Sequence, residues 1–350
     1  MRKNIQNKRR NLFKKLFIKL ARFLGYEIID QSYFTIPTQD KNIDENLSIP
    51  GKSSITLPLG KVDITRKISG LTIIIRSYTS TKNKKSLNML DQNKNRIFEF
   101  PKSEYTLRTI NSIIDSCNLT LKEFNSLDIK LIVTDHNSEI NTIKKIKSCL
   151  NNAKFETSIM NLDESKIKND INKKDELNNP ISENMISNMM NIYKSLLLTK
   201  EEGKDLVYFL EDDYIHEKGA IAEMFLTYEK ISTQLNKEIF LCPADYPYLY
   251  NKIENSKIFF GSQRHWRTVN ETLITFMTSR QMILKYWNEL KSMSTLRHHP
   301  MEKPLHKIYE KEYCLSPIPS LAMHCTNINS IYGLPPNFKW KKIWEENKNY

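Results

Sequence analysis

The stretch LVYFLEDDYIHEKGA, residues 206–220, places three carboxylates directly after an apolar run. Residues 206–210 read as a buried strand, and Glu211, Asp212 and Asp213 follow it without a break. Adjacent like charges repel, so a core strand gains nothing by ending in them. The cluster is typical of a site for a hard divalent cation that also takes phosphate oxygens. Alternatively, the acids cap a following helix whose first turn lies in HEKGAIAEMF.

The run at 206–210 is the fourth in a series of apolar strands that alternate with helical periods. This alternation predicts an α/β fold, a mostly parallel sheet sandwiched by helices. Strands are predicted at residues 71–80, 127–139, 154–163 and 206–210, and helices at 104–119, 140–152 and 181–204. Parallel strands present their carboxyl ends at one edge, where ligands bind. We therefore expect Ser77–Tyr78–Thr79, Asp135–His136–Asn137 and the three acids to share one crevice.

The composition argues against several classes of protein. The chain has 350 residues, of which 39% are hydrophobic, so it can bury a sizeable core. Its five cysteines are scattered and form no C-x-x-C pair, which argues against a disulfide scaffold or a zinc ribbon and fits a reducing cytosol. The run G-x-x-x-x-G-K-[ST] is absent, which disfavours a P-loop nucleotidase.

The charge pattern divides the chain into four predicted parts. A basic amphipathic helix occupies residues 1–30, an extended linker or arm 31–70, the main domain 71–330, and a C-terminal tail 331–350. The formal net charge is +13, and residues 2–24 contain nine Lys and Arg and no acid. Phe and Leu recur there at helical spacing, and Gly25 is a natural stop.

Such a helix predicts contact between residues 2–24 and an anionic membrane surface. The alternative is a helix that docks its apolar face on the body of the protein, although such a helix has no need of an all-basic polar face. An RNA-binding arm is disfavoured because the aromatic residues lie on the apolar stripe, away from the charges. No nucleic-acid partner is therefore expected.

The order of three segments resembles the glycosyltransferases of the GT-A fold, especially family 2. These segments are LTIIIRSYTS (71–80), LIVTDHNSE (131–139) and GKDLVYFLEDDY (203–214), the last ending in a motif similar to D-x-D. The resemblance covers about residues 71–330. The chain departs from the family at Arg76, where the family often has Pro, and in an insert at 81–103.

The resemblance implies a metal-dependent, inverting glycosyltransferase of the hexosyltransferase type. The donor would be a nucleotide-diphosphate sugar, with a UDP-sugar favoured by family habit, and the cofactor Mn²⁺ or Mg²⁺. The acceptor would be a glycan or a lipid-linked saccharide in polysaccharide biosynthesis. A peripheral position on the cytoplasmic face of the cell membrane would suit such an acceptor.

Roles for the strand-end residues follow from the same resemblance. Asp213 matches the metal ligand of the motif, Asp212 would approach the ribose or the metal, and Glu211 the sugar. Asp135 resembles the aspartate that hydrogen-bonds the nucleotide base, or else is an ordinary Asx-turn residue. Ser77 and Tyr78 lie where the family's first loop touches the nucleoside.

Later segments supply candidates for the remaining roles. His324, in CLSPIPSLAMHCT (314–326), would reach back to the metal or the diphosphate, unless it is a packed core residue. Glu302 lies near a predicted helix start, where its pKa should be lowered, and is the candidate base that takes the acceptor's proton. It could equally be a common first-turn acid. Asp245 is the rival base, and the tyrosines of PADYPYLY (243–250) could stack on sugars or form a packed edge.

Two other classes of protein remain open. A sugar nucleotidyltransferase can use a similar sheet and acidic site, but it usually needs a glycine-rich first loop, and RSYTSTKNKK (76–85) has no glycine. A non-catalytic membrane or nucleic-acid binding module should spread its basic charge over one face. Here nine of the 53 basic residues fall within residues 2–24, and the others are mixed with 40 acids.

Overall fold

The structure is a computed structural model. It describes residues 12–26, 28, 54–57, 60–79, 98, 100–124, 126–136, 138–252, 254–326 and 330–348. Residues 2–11 of the basic segment, most of the arm predicted at 31–70, most of the insert at 81–103, and Asn137 lie outside these ranges. Among the described residues, no helix combines the length and the apolar character needed to cross a membrane.

The chain divides into two compact units, residues 1–47 with 54–63, and residues 48–53 with 64–350. The first unit contains helix α1 (Leu12–Phe23) and the antiparallel hairpin β1 (Ser54–Leu57) and β2 (Gly60–Asp63). Two residues beyond the end of α1, Gly25 has φ +84°, a left-handed conformation that favours glycine. The predicted stop of the helix therefore has its expected geometry.

The second unit is built on a nine-stranded sheet in the order β5-β4-β3-β6-β11-β8-β12-β10-β9. A separate two-stranded ribbon pairs β13 with β7. The strands are β3 (Gly70–Ser77), β4 (Asp128–Asp135), β5 (Glu156–Asn161), β6 (Leu206–Glu211), β7 (Tyr214–His216), β8 (Phe240–Leu241), β9 (Ile258–Phe260), β10 (His265–Thr268), β11 (Phe276–Ser279), β12 (Cys314–Ile318) and β13 (Ala322–His324). The helices are α2 (Lys102–Glu123), α3 (Ile140–Leu150), α4 (Glu164–Ile167), α5 (Glu183–Glu202), α6 (Ala220–Leu235), α7 (Arg280–Lys285), α8 (Trp287–Thr295), α9 (Lys303–Tyr309) and α10 (Trp340–Glu346).

Strands β5, β4, β3 and β6 run parallel, and every residue of β3 is buried. Successive side chains of a strand point to opposite faces of the sheet. Accordingly, Ile74 packs with Leu198 of α5, whereas Ile73 and Ile75 lie in the main core with Ile110 of α2. Burial on both faces explains why this strand is a continuous apolar run.

The alternation of strands and helices predicted over residues 71–210 is confirmed, and with it the α/β fold class. Beyond β6 the sheet is mixed, because β11 pairs antiparallel with both β6 and β8. The pattern of residues 262–290 predicts one strand followed by a helix, but the structure has two strands there. The segment forms β10 and β11 in separate positions of the sheet, followed by α7 and the start of α8.

The segment predicted as a tail, residues 331–350, contains α10. Its Trp344 is fully buried in a second, smaller core with Tyr105, Ile215 and Met323. The Phe98 ring stacks on Trp344 with 4.0 Å between ring centroids. This core therefore joins the C-terminal helix to the start of α2 and to the ribbon of β7 and β13.

Candidate functional site

The four parallel strands create a point at which the direction of winding reverses. The chain proceeds from β3 outward through α2, β4, α3 and β5, then returns through α5 to β6 on the other side of β3. Ligands of open α/β sheets bind outside the carboxyl ends of the strands at such a point. There the register sets Ser77 of β3 opposite Asp135 of β4, and Arg76 opposite Glu211 of β6. The structure thus brings the predicted strand-end residues to one edge.

Each of the three acids at the end of β6 has a cationic partner, and each partner comes from a different element. Arg76 Nη2 lies 2.9 Å from Glu211 Oε1. Lys102 Nζ, from the first residue of α2, lies 3.2 Å from Asp212 Oδ1. His324 Nε2, from β13, lies 3.2 Å from Asp213 Oδ2. The repulsion within the cluster is therefore offset by the protein's own cations.

Glu211 and Asp212 are held by further hydrogen bonds. Thr275 Oγ1 donates to Glu211 Oε2 over 3.2 Å. The backbone N–H of Tyr78 and the hydroxyl of Thr106 donate to Asp212 Oδ2 over 3.3 and 3.0 Å. Because both oxygens of each carboxylate are engaged, these side chains have fixed positions.

Asp213 is the member of the cluster with a vacant oxygen. Its Oδ2 accepts from Thr326 Oγ1 over 2.7 Å and faces His324, while its Oδ1 is buried without a hydrogen-bond partner among the described residues. Burial opposes the charged carboxylate, but the His324 charge and the hydrogen bonds from His324 and Thr326 together outweigh burial and hold the pKa of Asp213 below its usual range. Asp213 is therefore an anion with one unused acceptor atom.

His324 is positioned by the ribbon. The register pairs His324 with Tyr214, whose ring stacks on the imidazole at 4.9 Å between centroids. The Cys325 N–H donates to the Asp213 backbone carbonyl over 2.8 Å, which ties the end of β13 to the acid cluster. Burial opposes an imidazolium here, but the Asp213 carboxylate raises the pKa of His324.

These residues fit a hard cation that takes part of its coordination from substrate. Asp213 offers the unused Oδ1, and His324 is the adjacent second donor once the cation has displaced the proton of its imidazolium. Over the described ranges, no group of three His, Cys, Asp or Glu side chains could hold a metal. A Mg²⁺-like ion is commonly held by one or two carboxylates, substrate phosphates and water. The remaining ligands would therefore come from phosphate and water.

Asp135 and Ser77 lie at the neighbouring strand ends with polar atoms to spare. Asp135 Oδ2 accepts from the Ser138 N–H over 3.2 Å, which is the turn role that the sequence left open. Within the described ranges, Asp135 Oδ1 and Ser77 Oγ are buried without hydrogen-bond partners. Burial raises the pKa of Asp135. Asp135 thus serves its turn with one oxygen and leaves the other for a ligand.

The Tyr78 ring lies near two side chains of this edge. Its centroid is 5.7 Å from that of the His136 ring and 5.9 Å from Lys102 Nζ. His136 is itself held by Glu164 and Ser187, at 2.7 and 2.6 Å. The ring is therefore placed beside both β4 and the start of α2.

Glu302 immediately precedes α9 and lies near enough to the acid cluster to be affected by its charge. Its pKa is raised, first by burial and then by the Glu211 carboxylate. The expectation of a lowered pKa at a helix start is therefore wrong for this residue. The helix that follows has only seven residues, and burial outweighs its dipole. Glu302 therefore lies close enough to the site to feel the Glu211 charge, and its carboxylate binds a proton more readily than an ordinary glutamate does.

Asp245 is engaged elsewhere. It is 1% exposed, pairs through Oδ1 with Arg267, and accepts from the Tyr250 hydroxyl at Oδ2. Its N–H donates to Ser320 Oγ over 2.8 Å. With both carboxylate oxygens occupied, Asp245 has the geometry of a buried structural ion pair.

Two cations of the site were not identified as site residues from the sequence. Arg76 interrupts an apolar strand, and a buried charge requires a partner, so it could have been flagged. Lys102 is the first helical residue of α2 and directly follows Pro101, so the proline is a local signal for the helix start. Its pairing with Asp212 lies 110 positions away and has no local signal.

No family model matches the chain, and no curated protein matches it. Solved structures similar to the chain include a UDP-glucose pyrophosphorylase complexed with UDP-glucose, with 8% identity, a TM-score of 0.37, and 81% of this chain and 97% of that chain covered. Mouse xyloside xylosyltransferase 1 has 9% identity, a TM-score of 0.33, and coverage of 70% and 77%. S. aureus TarS 1–349 has 10% identity, a TM-score of 0.30, and coverage of 64% and 56%. At these TM-scores the likenesses do not bear on what the chain does.

Proposed function

We propose that the protein is a metal-dependent, inverting glycosyltransferase that uses a nucleotide-diphosphate sugar. The observation that carries this proposal is Asp213. Its carboxylate lies at the carboxyl end of β6, beside His324, with one buried oxygen that lacks a partner in the described residues. An anionic oxygen that a folded chain leaves unpaired is costly unless a ligand uses it.

The neighbouring strand ends support a nucleotide at the same edge. Ser77 Oγ and Asp135 Oδ1 are polar atoms ready for a nucleoside, and the Tyr78 ring lies beside them. Lys102 and Arg76 supply positive charge for a diphosphate. Glu211 and Asp212 would face the sugar and the ribose, as the sequence resemblance implies.

The transfer itself requires one proton to move. The acceptor hydroxyl oxygen attacks the anomeric carbon, the bond from that carbon to the diphosphate breaks, and the hydroxyl proton passes to Glu302. A raised pKa suits Glu302 to accept a proton near neutral pH. A bound Mn²⁺ or Mg²⁺ would supply Lewis-acid stabilisation of the departing diphosphate. Lys102 and Arg76 add positive charge on the same side.

The acceptor is proposed to be a glycan or a lipid-linked saccharide at the inner face of the cell membrane. In support, α1 exposes one face of Phe and Leu side chains, among them Phe13 and Phe23, which are 81% and 87% exposed. Lys19 of the same helix is exposed, and the segment contains no acid. An apolar face with basic flanks is complementary to an anionic lipid surface.

The test is calorimetry of UDP binding with and without Mn²⁺, for the wild type and for Asp213→Asn. We expect Mn²⁺-dependent binding in the wild type and its loss in Asp213→Asn. Asp128→Asn is the control, because Asp128 lies at the opposite end of β4. Wild-type failure to bind UDP, GDP and dTDP would refute the proposal. Release of pyrophosphate from UTP and glucose 1-phosphate would favour the alternative, a sugar nucleotidyltransferase.

A further inference from the structure

The tyrosines that follow β8 separate into two environments. Tyr246 and Tyr248 are 1% and 3% exposed and belong to the main core, so they form the packed edge that the sequence allowed. Tyr250, at the end of the short 3₁₀ turn Pro247–Tyr250, is 52% exposed. Of these three tyrosines, Tyr250 is therefore the exposed one.

The hydroxyl of Tyr250 points into the protein, which is the reverse of the usual orientation of a surface tyrosine. Such a residue commonly packs its ring against the protein and keeps its hydroxyl wet. Here the hydroxyl donates inward to the fully buried Asp245. What Tyr250 shows to solvent is therefore mainly the rest of the residue, including its apolar ring.

The ring is also held in place before any ligand arrives. The Arg267 guanidinium lies over it, 4.6 Å from its centroid, and is itself paired with Asp245. Hydroxyl, guanidinium and carboxylate thus form a closed triad that limits movement of the ring. A rigid aromatic surface loses little entropy on binding.

Asp245, which holds the Tyr250 hydroxyl, follows β8 at the same edge of the sheet as the candidate site. Strand β8 is two positions from β6, which corresponds to about 10 Å at the usual strand spacing. A chain of contacts spans this interval. The hydroxyls of Tyr246 and Tyr214 are 2.6 Å apart, and the Tyr214 ring stacks on His324, the partner of Asp213.

We propose that Tyr250 is a stacking platform for a saccharide ring of the acceptor. The inference rests on the proposed function and extends it to an acceptor subsite. One face of a pyranose ring presents C–H groups, which pack on an aromatic ring, while its hydroxyls remain at the rim in water. The exposed ring of Tyr250, with Arg267 over it, matches that ligand.

The test is saturation-transfer NMR with four disaccharides, namely maltose, cellobiose, lactose and N-acetylchitobiose. We expect at least one to bind the wild type and Tyr250→Phe, with dissociation constants within about threefold of each other. Tyr250→Ala should weaken that binding about three- to tenfold. Leu284→Ala is the matched control, because Leu284 is 44% exposed on α7.

Two results would overturn the platform, namely no binding of any disaccharide by the wild type, or equal affinity in Tyr250→Ala and Leu284→Ala. UDP calorimetry on the same samples separates the two proposals. If UDP binding is retained together with either of these results, the stacking platform is refuted and the proposed function is not. Failure of the wild type to bind UDP, GDP and dTDP refutes the proposed function.

Discussion

Lys102 Nζ and Asp212 Oδ1 are 3.2 Å apart, although 110 positions separate them in the chain. The Lys102 ammonium, at the start of α2, lies against the acid cluster. It also lies 5.9 Å from the Tyr78 ring centroid. Under the proposed function, a cation so placed would neutralise Asp212 before the donor binds and contact the diphosphate afterwards.

Lys102→Met should therefore change two affinities in opposite directions. UDP affinity should fall about tenfold or more, because a charge-assisted contact is lost. Affinity for Mn²⁺ without nucleotide should rise, because Asp212 loses its competing cation. Calorimetry measures both, and Lys102→Arg should retain most of the UDP affinity. If Lys102→Met leaves both affinities unchanged, Lys102 serves only the fold.

Glu302→Gln should lower turnover about 10²- to 10⁴-fold while leaving UDP affinity unchanged, since it removes only the proton acceptor. Asp245→Asn should act differently, because it breaks a buried ion pair and lowers the melting temperature. Steady-state kinetics, UDP calorimetry and thermal unfolding on both variants separate these effects. A large loss of turnover in Asp245→Asn without a loss of stability would exchange the two roles.

The pH dependence of turnover follows from the same carboxylate. Glu302 must be ionised to accept a proton, and its pKa is raised by burial and by the Glu211 charge. Turnover should therefore fall as pH decreases through an apparent pKa above 4.5, the ordinary value for glutamate. Glu211→Gln should shift this acidic limb to lower pH, measured as kcat against pH at saturating donor. An unchanged limb in Glu211→Gln would mean that another group is titrating.

The local sequence pattern was sufficient to predict the strands that surround the site and its acidic residues. The apolar run of β3 and the carboxylates after residue 210 are local signals, and the topology of parallel strands gathers their ends at one edge. His324 was also identified from the sequence, and the pairing of β13 with β7 brings it to Asp213. Its metal role stays a prediction.

The partners of the acids could not be predicted in the same way. Whether Asp245 faces the site or the core depends on Arg267 and Tyr250, which approach it only in the folded sheet. The pKa of Glu302 depends on burial and on Glu211, which lies 91 positions earlier. Such effects arise from tertiary packing, and no periodicity in the chain encodes them.

The exposed face of α1 should bind vesicles that contain phosphatidylserine. Replacing Phe17 and Leu20 with serine should weaken that binding because both side chains are exposed on the apolar face. Sedimentation with phosphatidylserine vesicles measures the effect, and pure phosphatidylcholine vesicles are the control for charge. UDP affinity should not change. Equal sedimentation of the wild type and the double variant would remove the membrane proposal for this helix.

Trp344 should affect the candidate site without touching it. It is fully buried in the smaller core, where it packs with Ile215 and Met323. These two residues form the pair next to Tyr214 and His324 in the ribbon, so they point to its other face. The Arg108 guanidinium also lies 4.2 Å from the Trp344 ring. Trp344 therefore supports the strand that holds His324 beside Asp213.

Trp344→Ala should cost about 3–5 kcal/mol of unfolding free energy, and Trp344→Phe clearly less. The matched control is Leu290→Ala, which opens a cavity in the main core on α8. At a temperature where both variants are folded, only Trp344→Ala should also weaken Mn²⁺-dependent UDP binding, because the His324–Asp213 pair loses its support. Thermal unfolding and calorimetry give the two readouts. Equal UDP affinity in the two variants would show that the smaller core contributes stability alone.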